Sequence, residues 1–383
     1  MSEPAAAGAP ADPPTPRGPA PHPTGPKIEL HVHLEGTVRP ATLLAMARRN
    51  GETLPASTVE GLTELYRFRD FDHFIQVWII TTHVMRTEAD FRQVVVEYAA
   101  EAAAHGAVYL EGIFSPWFRV ARGVRVEEIF HGYADGAIEA RERYGVEVRL
   151  TPDIDRMLSV EDALEVARWA VRFAERGLVG IGLGGPESGH PPEPYAPAFA
   201  LAADAGLAAV PHAGETEGPG SVRGALDALG ARRLRHGIRA LEDPALVRRL
   251  ADEQIVLDVC PVSNLRTRSV PDLAGHSLVA LGAAGVPCSL ATDDPAMFGT
   301  DLGVEHGVAA GLGARSRDLY AAGVLGALCD ETTRDRLRRL GEATDWDAVE
   351  RAALAAAPGA LAAVGAASTD GAADARGGLA GAR

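Results

Sequence analysis

Two kinds of hydrophobic pattern alternate along this chain. Short aliphatic and β-branched runs occur at 27–33, 106–113, 146–152, 178–183, 207–212, 232–236, 254–260 and 286–292. Each has the length of a buried strand. Longer stretches of helical period separate them, among them 125–144, 159–176, 219–230 and 243–252. Eight strands alternating with helices, joined by right-handed crossovers, predict an α/β fold, a (β/α)8 TIM barrel, with an open doubly wound sheet as the competitor. The first crossover is too long for one helix. Residues 40–105 carry at least three helical segments, including 70–85 and 87–104. An insertion after the first strand falls on the face where barrels build their sites, so it is expected to form a helical lid.

The ends of the chain break the pattern. Residues 1–26 hold nine prolines and no apolar core, which predicts a disordered tail and not a secretory signal. Residues 366–383 read as a second tail, leaving 27–365 as one barrel domain. No apolar run approaches the ~20 residues of a membrane helix, so no membrane association is expected. An apolar content of 46% suffices for a core, and the net charge of −15 argues against a nucleic-acid partner, which needs clustered cations. Cys260, Cys288 and Cys329 sit in apolar surroundings, as reduced thiols of a cytoplasmic protein would. The pattern says nothing about oligomeric state. The chain has a single lysine, Lys27, so chemistry that needs a lysine elsewhere is excluded.

Four polar islands end four of the apolar runs: His31-Val32-His33, His212-Ala213-Gly214-Glu215, Arg235-His236-Gly237 and Thr292-Asp293-Asp294. His31 and His33, two apart on a strand, point the same way and can meet one ion, although a half-buried strand with two histidines reads the same. His212 alone would suit a core position, but Glu215 in the following Gly-containing turn adds a carboxylate. His236 alone reads as a helix-entry residue. Asp293-Asp294 before Pro295 reads equally as a helix N-cap pair. Taken jointly, three histidines and an aspartate at strand ends match the ligands of one Zn²⁺ with a position left for water.

These stretches carry a family resemblance. Lys27-Ile-Glu-Leu-His-Val-His-Leu-Glu-Gly, Val210-Pro-His-Ala-Gly-Glu, Arg235-His-Gly, Cys260-Pro-Val-Ser-Asn and Ser289-Leu-Ala-Thr-Asp-Asp-Pro-Ala-Met-Phe resemble the adenosine deaminase family of the amidohydrolase superfamily over roughly residues 27–345. The resemblance implies zinc-dependent hydrolytic deamination of a small-molecule 6-aminopurine, with release of ammonia. It implies that His31, His33, His212 and Asp293 hold a single zinc ion and that Glu215 protonates N1 of the purine. His236 would orient the attacking water, Asp294 would contact N7, and the Gly185 backbone N–H would meet N3. His33 and Glu35 would stand on the substrate side, Glu35 at the ribose 5′ end.

Glu35 departs from the Asp usual in adenosine deaminases proper and is similar to the adenine and aminodeoxyfutalosine deaminase branches. So are Gly189-His190-Pro191-Pro192-Glu193 and Cys260-Pro-Val-Ser-Asn264. The expected substrate is an adenosine-type nucleoside, either adenosine or 6-amino-6-deoxyfutalosine, an adenosine with a bulky 5′ substituent. Free adenine is the alternative, with Trp117, Phe118, Phe68 and Phe71 available to fill the ribose space or to serve as lid core. An inactive purine-binding paralogue is the non-enzyme alternative. A binuclear amidohydrolase is disfavoured because 178–183 offers no bridging lysine. The His-X-Glu with Pro-Cys-X-X-Cys pattern of cytidine-type deaminases is not matched either.

Overall fold

The computed structural model describes residues 22–373, with side chains through 365. Most of the Pro/Ala-rich N-terminal tail therefore lies outside the described residues, as do residues 374–383. The strands are β1 (Lys27–His33), β2 (Ala107–Phe114), β3 (Glu147–Asp155), β4 (Gly180–Gly184), β5 (Ala208–Ala209), β6 (His212–Ala213), β7 (Arg233–His236), β8 (Val256–Val259) and β9 (Cys288–Leu290). All pairings are parallel, in the orders β1-β2-β3-β4-β5 and β6-β7-β8-β9. A further parallel bridge joins Val32 of β1 to Asp293, with His33 N–H donating to the Asp293 carbonyl at 2.7 Å and Asp293 N–H to the His31 carbonyl at 3.1 Å.

The run read as one strand at 207–212 is broken into β5 and β6. Pro211 between them has no N–H to give a ladder. The backbone keeps its neighbours on both sides, with Val210 N–H on the Ile181 carbonyl and Arg235 N–H on the Pro211 carbonyl, each at 3.0 Å.

The strands alternate with period two, and the face turned away from the helices is charged. On β1, Ile28, Leu30 and Val32 are buried on one face while Glu29 and His31 are buried on the other. The same alternation puts Glu111 of β2, Asp153 of β3, Arg233 and Arg235 of β7 and Asp258 of β8 out of water. They survive burial by pairing. Arg233 reaches Glu111 at 2.5 Å and Asp258 at 3.1 Å, and Arg235 bonds Asp153 and, at 2.7 Å, the Thr151 hydroxyl.

Helices follow the strands close to where the periodicity put them, including Val126–Tyr144, Pro219–Leu229 and Pro244–Asp252. The first crossover contains four, Pro40–Asn50, Val59–Leu65, Phe71–Thr82 and Glu88–Ala104. The last of these opens on a capping box between Thr87 and Asp90, which satisfies its free N-terminal amides.

The final helix, Trp346–Ala373, corrects one expectation. Its segment Trp346–Gly365 is long and apolar enough, at a mean hydropathy of 1.2, to cross a membrane by length and composition alone. Alanine supplies most of that hydropathy. Its buried stripe, Val349, Ala353, Ala357, Ala360 and Val364, packs on the helix Leu302–Leu312, where Gly307 and Gly311 leave room for Ala360 and Leu361.

Candidate active site

Four polar side chains meet at the C-terminal ends of the strands. His31 and His33 come from β1, His212 opens β6, and Asp293 follows β9. One ligand atom from each lies within 4.8 Å of all the others. His212 Nε2 is 3.1 Å from both His31 Nε2 and His33 Nε2, while Asp293 Oδ1 is 3.3 Å from His31 Nε2 and 3.4 Å from His33 Nε2.

Their outer partners show what the cluster is built to hold. His212 Nδ1 donates to the Leu183 carbonyl at 3.0 Å, with Asp153 Oδ2 at 3.4 Å, so its Nε2 is a bare lone pair. His31 Nδ1 faces the Asp258 carbonyl at 3.4 Å, which leaves its Nε2 bare as well. Burial also keeps the rings neutral: it pushes His31 and His212 well below the usual imidazole range and His33 down to about 3. Lone pairs aimed at one another across 3.1 Å repel unless a cation lies between them. Carbonyl-anchored imidazoles with a carboxylate are how proteins present such ligands. The residues fit one metal ion.

A second trio, His31, His236 and Cys260, lies within similar reach. Burial drives the Cys260 thiol far above its usual range.

Asp293 is held by the Ser263 hydroxyl at 2.5 Å. Its backbone φ is +65°, and that of His236 is +63°. Left-handed backbone is costly for residues with a Cβ and collects where function constrains the chain.

Beside the cluster opens a cavity that, with its mouth, encloses about 600 Å³. His33, His212, Asp293, Glu215, His236, Asp294 and Gly185 line it on the strand side, and Phe71, Phe74, Ile75, Trp78 and Phe118 on the other. None of its lining residues is Lys or Arg. Glu215 Oε2 is 3.5 Å from His236 Nε2, and the Ser269 hydroxyl reaches Glu215 Oε1 at 3.4 Å. Burial first, then the charges of Asp293 and Glu187, raise the Glu215 carboxyl well above its usual range, as a proton donor at neutral pH requires. Asp294 is likewise raised, by burial and then by Asp293.

This constellation of ligands, acid and cavity agrees with the match of the adenosine deaminase family profile to residues 26–340. The chain belongs to the adenosine deaminase family. It is a hydrolase of the amidohydrolase superfamily, acting on C–N bonds of cyclic amidines. It is 53% identical over 339 residues to an aminodeoxyfutalosine deaminase of Acidothermus cellulolyticus, covering 87% of this chain and 95% of the relative. The structure of an adenine deaminase from Arthrobacter aurescens superposes with a TM-score of 0.78 at 33% identity, over 83% of this chain and 98% of the other. A Burkholderia ambifaria amidohydrolase solved with bound zinc gives a TM-score of 0.77 at 25% identity, over 87% and 93%.

Within this family member the structure brings together His31, His33, His212, Glu215, His236, Asp293, Asp294 and Gly185. Glu35 is the exception. It is buried behind the cavity, accepts the Ser115 N–H at 2.9 Å and stands 3.8 Å from Arg119. It therefore holds the end of β2 in place, and Ser115, not Glu35, reaches the lining. The N-cap reading of Asp294 is half right: it precedes the turn Pro295–Phe298, yet its side chain caps no amide and accepts the Trp78 indole N–H at 3.0 Å. Of the four aromatics singled out in the sequence, Phe71 and Phe118 line the cavity. Phe68 instead packs on Phe74 and Phe298.

Three participants carried no local signal. Glu187 accepts the backbone N–H groups of Gly214, Glu215 and Glu217 at 3.1–3.2 Å. Arg156 donates to the His212 carbonyl at 2.7 Å. Trp78 holds Asp294. Each acts on a residue far away in sequence.

Proposed function

We propose that the enzyme hydrolyses the 6-amino group of an adenosine-type 6-aminopurine nucleoside, releasing ammonia, with 6-amino-6-deoxyfutalosine the leading candidate and adenosine next. The observation that carries this reading is the meeting of three neutral imidazoles and Asp293 beside Glu215 and His236 in one cavity. The 53% identity to an aminodeoxyfutalosine deaminase supports the choice within the class. His31, His33, His212 and Asp293 would hold one Zn²⁺. Bound there, zinc would lower the pKa of water toward ~7 and so supply hydroxide at neutral pH.

The chain's own residues do the rest. Glu215 gives its proton to N1, so that C6 can accept an oxygen without leaving negative charge on the ring. His236 Nε2–H donates to the incoming oxygen. The proton of the hydroxyl added at C6 then passes, by way of the Glu215 carboxylate, to the amine. The C6–N bond breaks, ammonia leaves and C6 becomes a carbonyl. The proton shed when water became hydroxide restores Glu215. Asp294, whose Oδ1 accepts the Trp78 N–H, is favoured in its protonated form by burial and by Asp293, and donates from its other oxygen to N7. The N–H of Gly185 faces N3, and φ of +86° with Asp155 Oδ2 2.7 Å from where a Cβ would stand makes glycine obligatory there.

The absence of Lys and Arg from the lining speaks against a 5′-phosphate, which would need a cation. Adenine deamination remains the second reading, because the aromatic wall could close on a base and the Arthrobacter relative is an adenine deaminase. The full complement of ligands and acid tells against an inactive purine-binding paralogue.

Around this site we read the eight strand positions as a closed (β/α)8 barrel, the Val32–Asp293 bridge being the closing contact and helices 40–104 the lid. We read residues 27–373 as one domain, because the last helix, Trp346–Ala373, runs into the segment expected to be a tail from residue 366. Three free cysteines accord with a cytoplasmic location.

The test measures ammonia from 6-amino-6-deoxyfutalosine, adenosine, adenine and AMP, with metal content determined on the same sample. We expect the nucleosides to turn over, AMP to be inert and one zinc per chain. Glu215→Gln should keep the zinc and lose about 10²- to 10⁴-fold in kcat. Turnover of adenine alone would establish the second reading, and near-normal activity in Glu215→Gln would remove Glu215 from the mechanism.

A further inference from the structure

His236 ends a chain of hydrogen bonds that can run in only one direction. The chain begins at the backbone N–H of Leu278, which can only donate, and it meets His276 Nδ1 at 3.2 Å. That nitrogen must therefore be bare, and the proton of the His276 ring sits on Nε2. His276 Nε2 in turn lies 3.1 Å from Asn264 Oδ1, which accepts it. The amide cannot be turned round, because an NH2 facing Nε2 would require His276 to accept at both ring nitrogens. Asn264 Nδ2 is thus left to donate to His236 Nδ1, at 3.1 Å. With Nδ1 occupied by an incoming hydrogen, the single proton of a neutral His236 ring has one place left, Nε2. All three side chains are buried, so water does not compete for these bonds.

We propose that Asn264 and His276 are positioning residues that lock His236 in its Nε2–H tautomer, making it a hydrogen-bond donor toward the oxygen that adds to C6 and not a base that accepts from it. Nε2 faces the cavity, 3.5 Å from Glu215 Oε2 and 3.9 Å from Asp293 Oδ2. A bare Nε2 would turn a lone pair toward the Asp293 carboxylate, whereas an Nε2–H is attracted by that charge and later donates to the oxygen as it becomes an alkoxide. A donor aimed at developing charge contributes to the rate because it is oriented before the reaction starts. The left-handed backbone of His236, followed by Gly237 at φ +66°, aims the ring so that one nitrogen meets Asn264 while the other enters the cavity.

The inference rests on the proposed deaminase chemistry only for its consequence. The tautomer itself is read without substrate. The experiment records imidazole nitrogen chemical shifts of the zinc-loaded, ¹⁵N-histidine-labelled full chain, with His236 assigned by its loss in His236→Gln. The wild type should show a neutral His236 protonated at Nε2. In Asn264→Asp the carboxylate can only accept, so it should draw the proton to Nδ1 and reverse the pattern. That variant should lose about 10²-fold in kcat, with KM and zinc content little changed.

A wild-type His236 protonated at Nδ1 would overturn the proposal whatever the variants do. So would an Asn264→Asp protein with reversed shifts and undiminished kcat. A fall of kcat, KM and zinc content together, with the tautomer unaltered, would make Asn264 merely structural. If no aminopurine is deaminated while His236 keeps its proton on Nε2, the substrate reading fails and the relay stands.

Discussion

Gly36 shows how residue-scale reading misses a close approach. In sequence, Leu34-Glu35-Gly36 suggests a flexible turn, but these residues form a short 3-10 helix. The glycine is there because a Cβ would stand 1.8 Å from Asp294 Oδ1. A side chain at position 36 must push Asp294 off the Trp78 indole. Gly36→Ala should therefore fold and bind zinc yet lose about 10²-fold in kcat/KM, the cost of displacing a substrate contact by ~1 Å; steady-state kinetics beside metal analysis would show it. The metal ligands themselves were legible because imidazoles and carboxylates at strand ends are a chemical signature. Gly36, Glu187 and Arg156 were not, because their partners are supplied by folding. The surroundings of Glu35 were hidden for the same reason. Its identity suggested a substrate contact, and only its neighbours, Ser115 and Arg119, reveal a support.

At the scale of elements, the insertion after β1 touches the chemistry through one indole. Trp78, on the helix Phe71–Thr82, lines the cavity, donates to Asp294 and lies beneath the Arg119 guanidinium at 4.8 Å. That bond ties the proposed lid to the end of β9. Trp78→Phe keeps the aromatic wall and removes only the N–H. It should raise KM by roughly tenfold, the cost of about one hydrogen bond, with little change in Tm. An unchanged KM would mean that Asp294 is held by Gly36 packing alone. Helical periodicity in 40–105 announced that helices were there, yet no pattern in sequence could say which face of 71–82 would meet residue 294. Strand five illustrates a rule applied too loosely: Pro211 was visible in the run at 207–212, and its missing N–H is what divides β5 from β6.

For the molecule as a whole, the cluster joins distant parts of the chain, with ligands from β1, from β6 and from the segment after β9. A metal bound only by the folded state stabilises it by about 4 kcal/mol when present at 1,000 times its dissociation constant. Chelation should therefore lower Tm by several degrees, and zinc should restore it. A chelator that abolishes activity but leaves Tm unmoved would place the metal outside the fold's energetics. The charged inner face of the strands is a whole-molecule feature too. Arg233 and Arg235 in β7 read locally as the polar start of a strand, and burial was invisible until Glu111, Asp153 and Asp258 came to meet them.

By itself, the sequence determined the alternation of strands and helices and which residues could bind a metal or move a proton, because periodicity and side-chain chemistry are local properties. Which of these residues face one another was decided by the tertiary structure alone: the tautomer of His236, the grip of Glu187 on three amides, and the retreat of Glu35 from the cavity. Hydrogen bonds and close contacts depend on distances of a few tenths of an ångström between residues as much as two hundred positions apart, and only folding sets those.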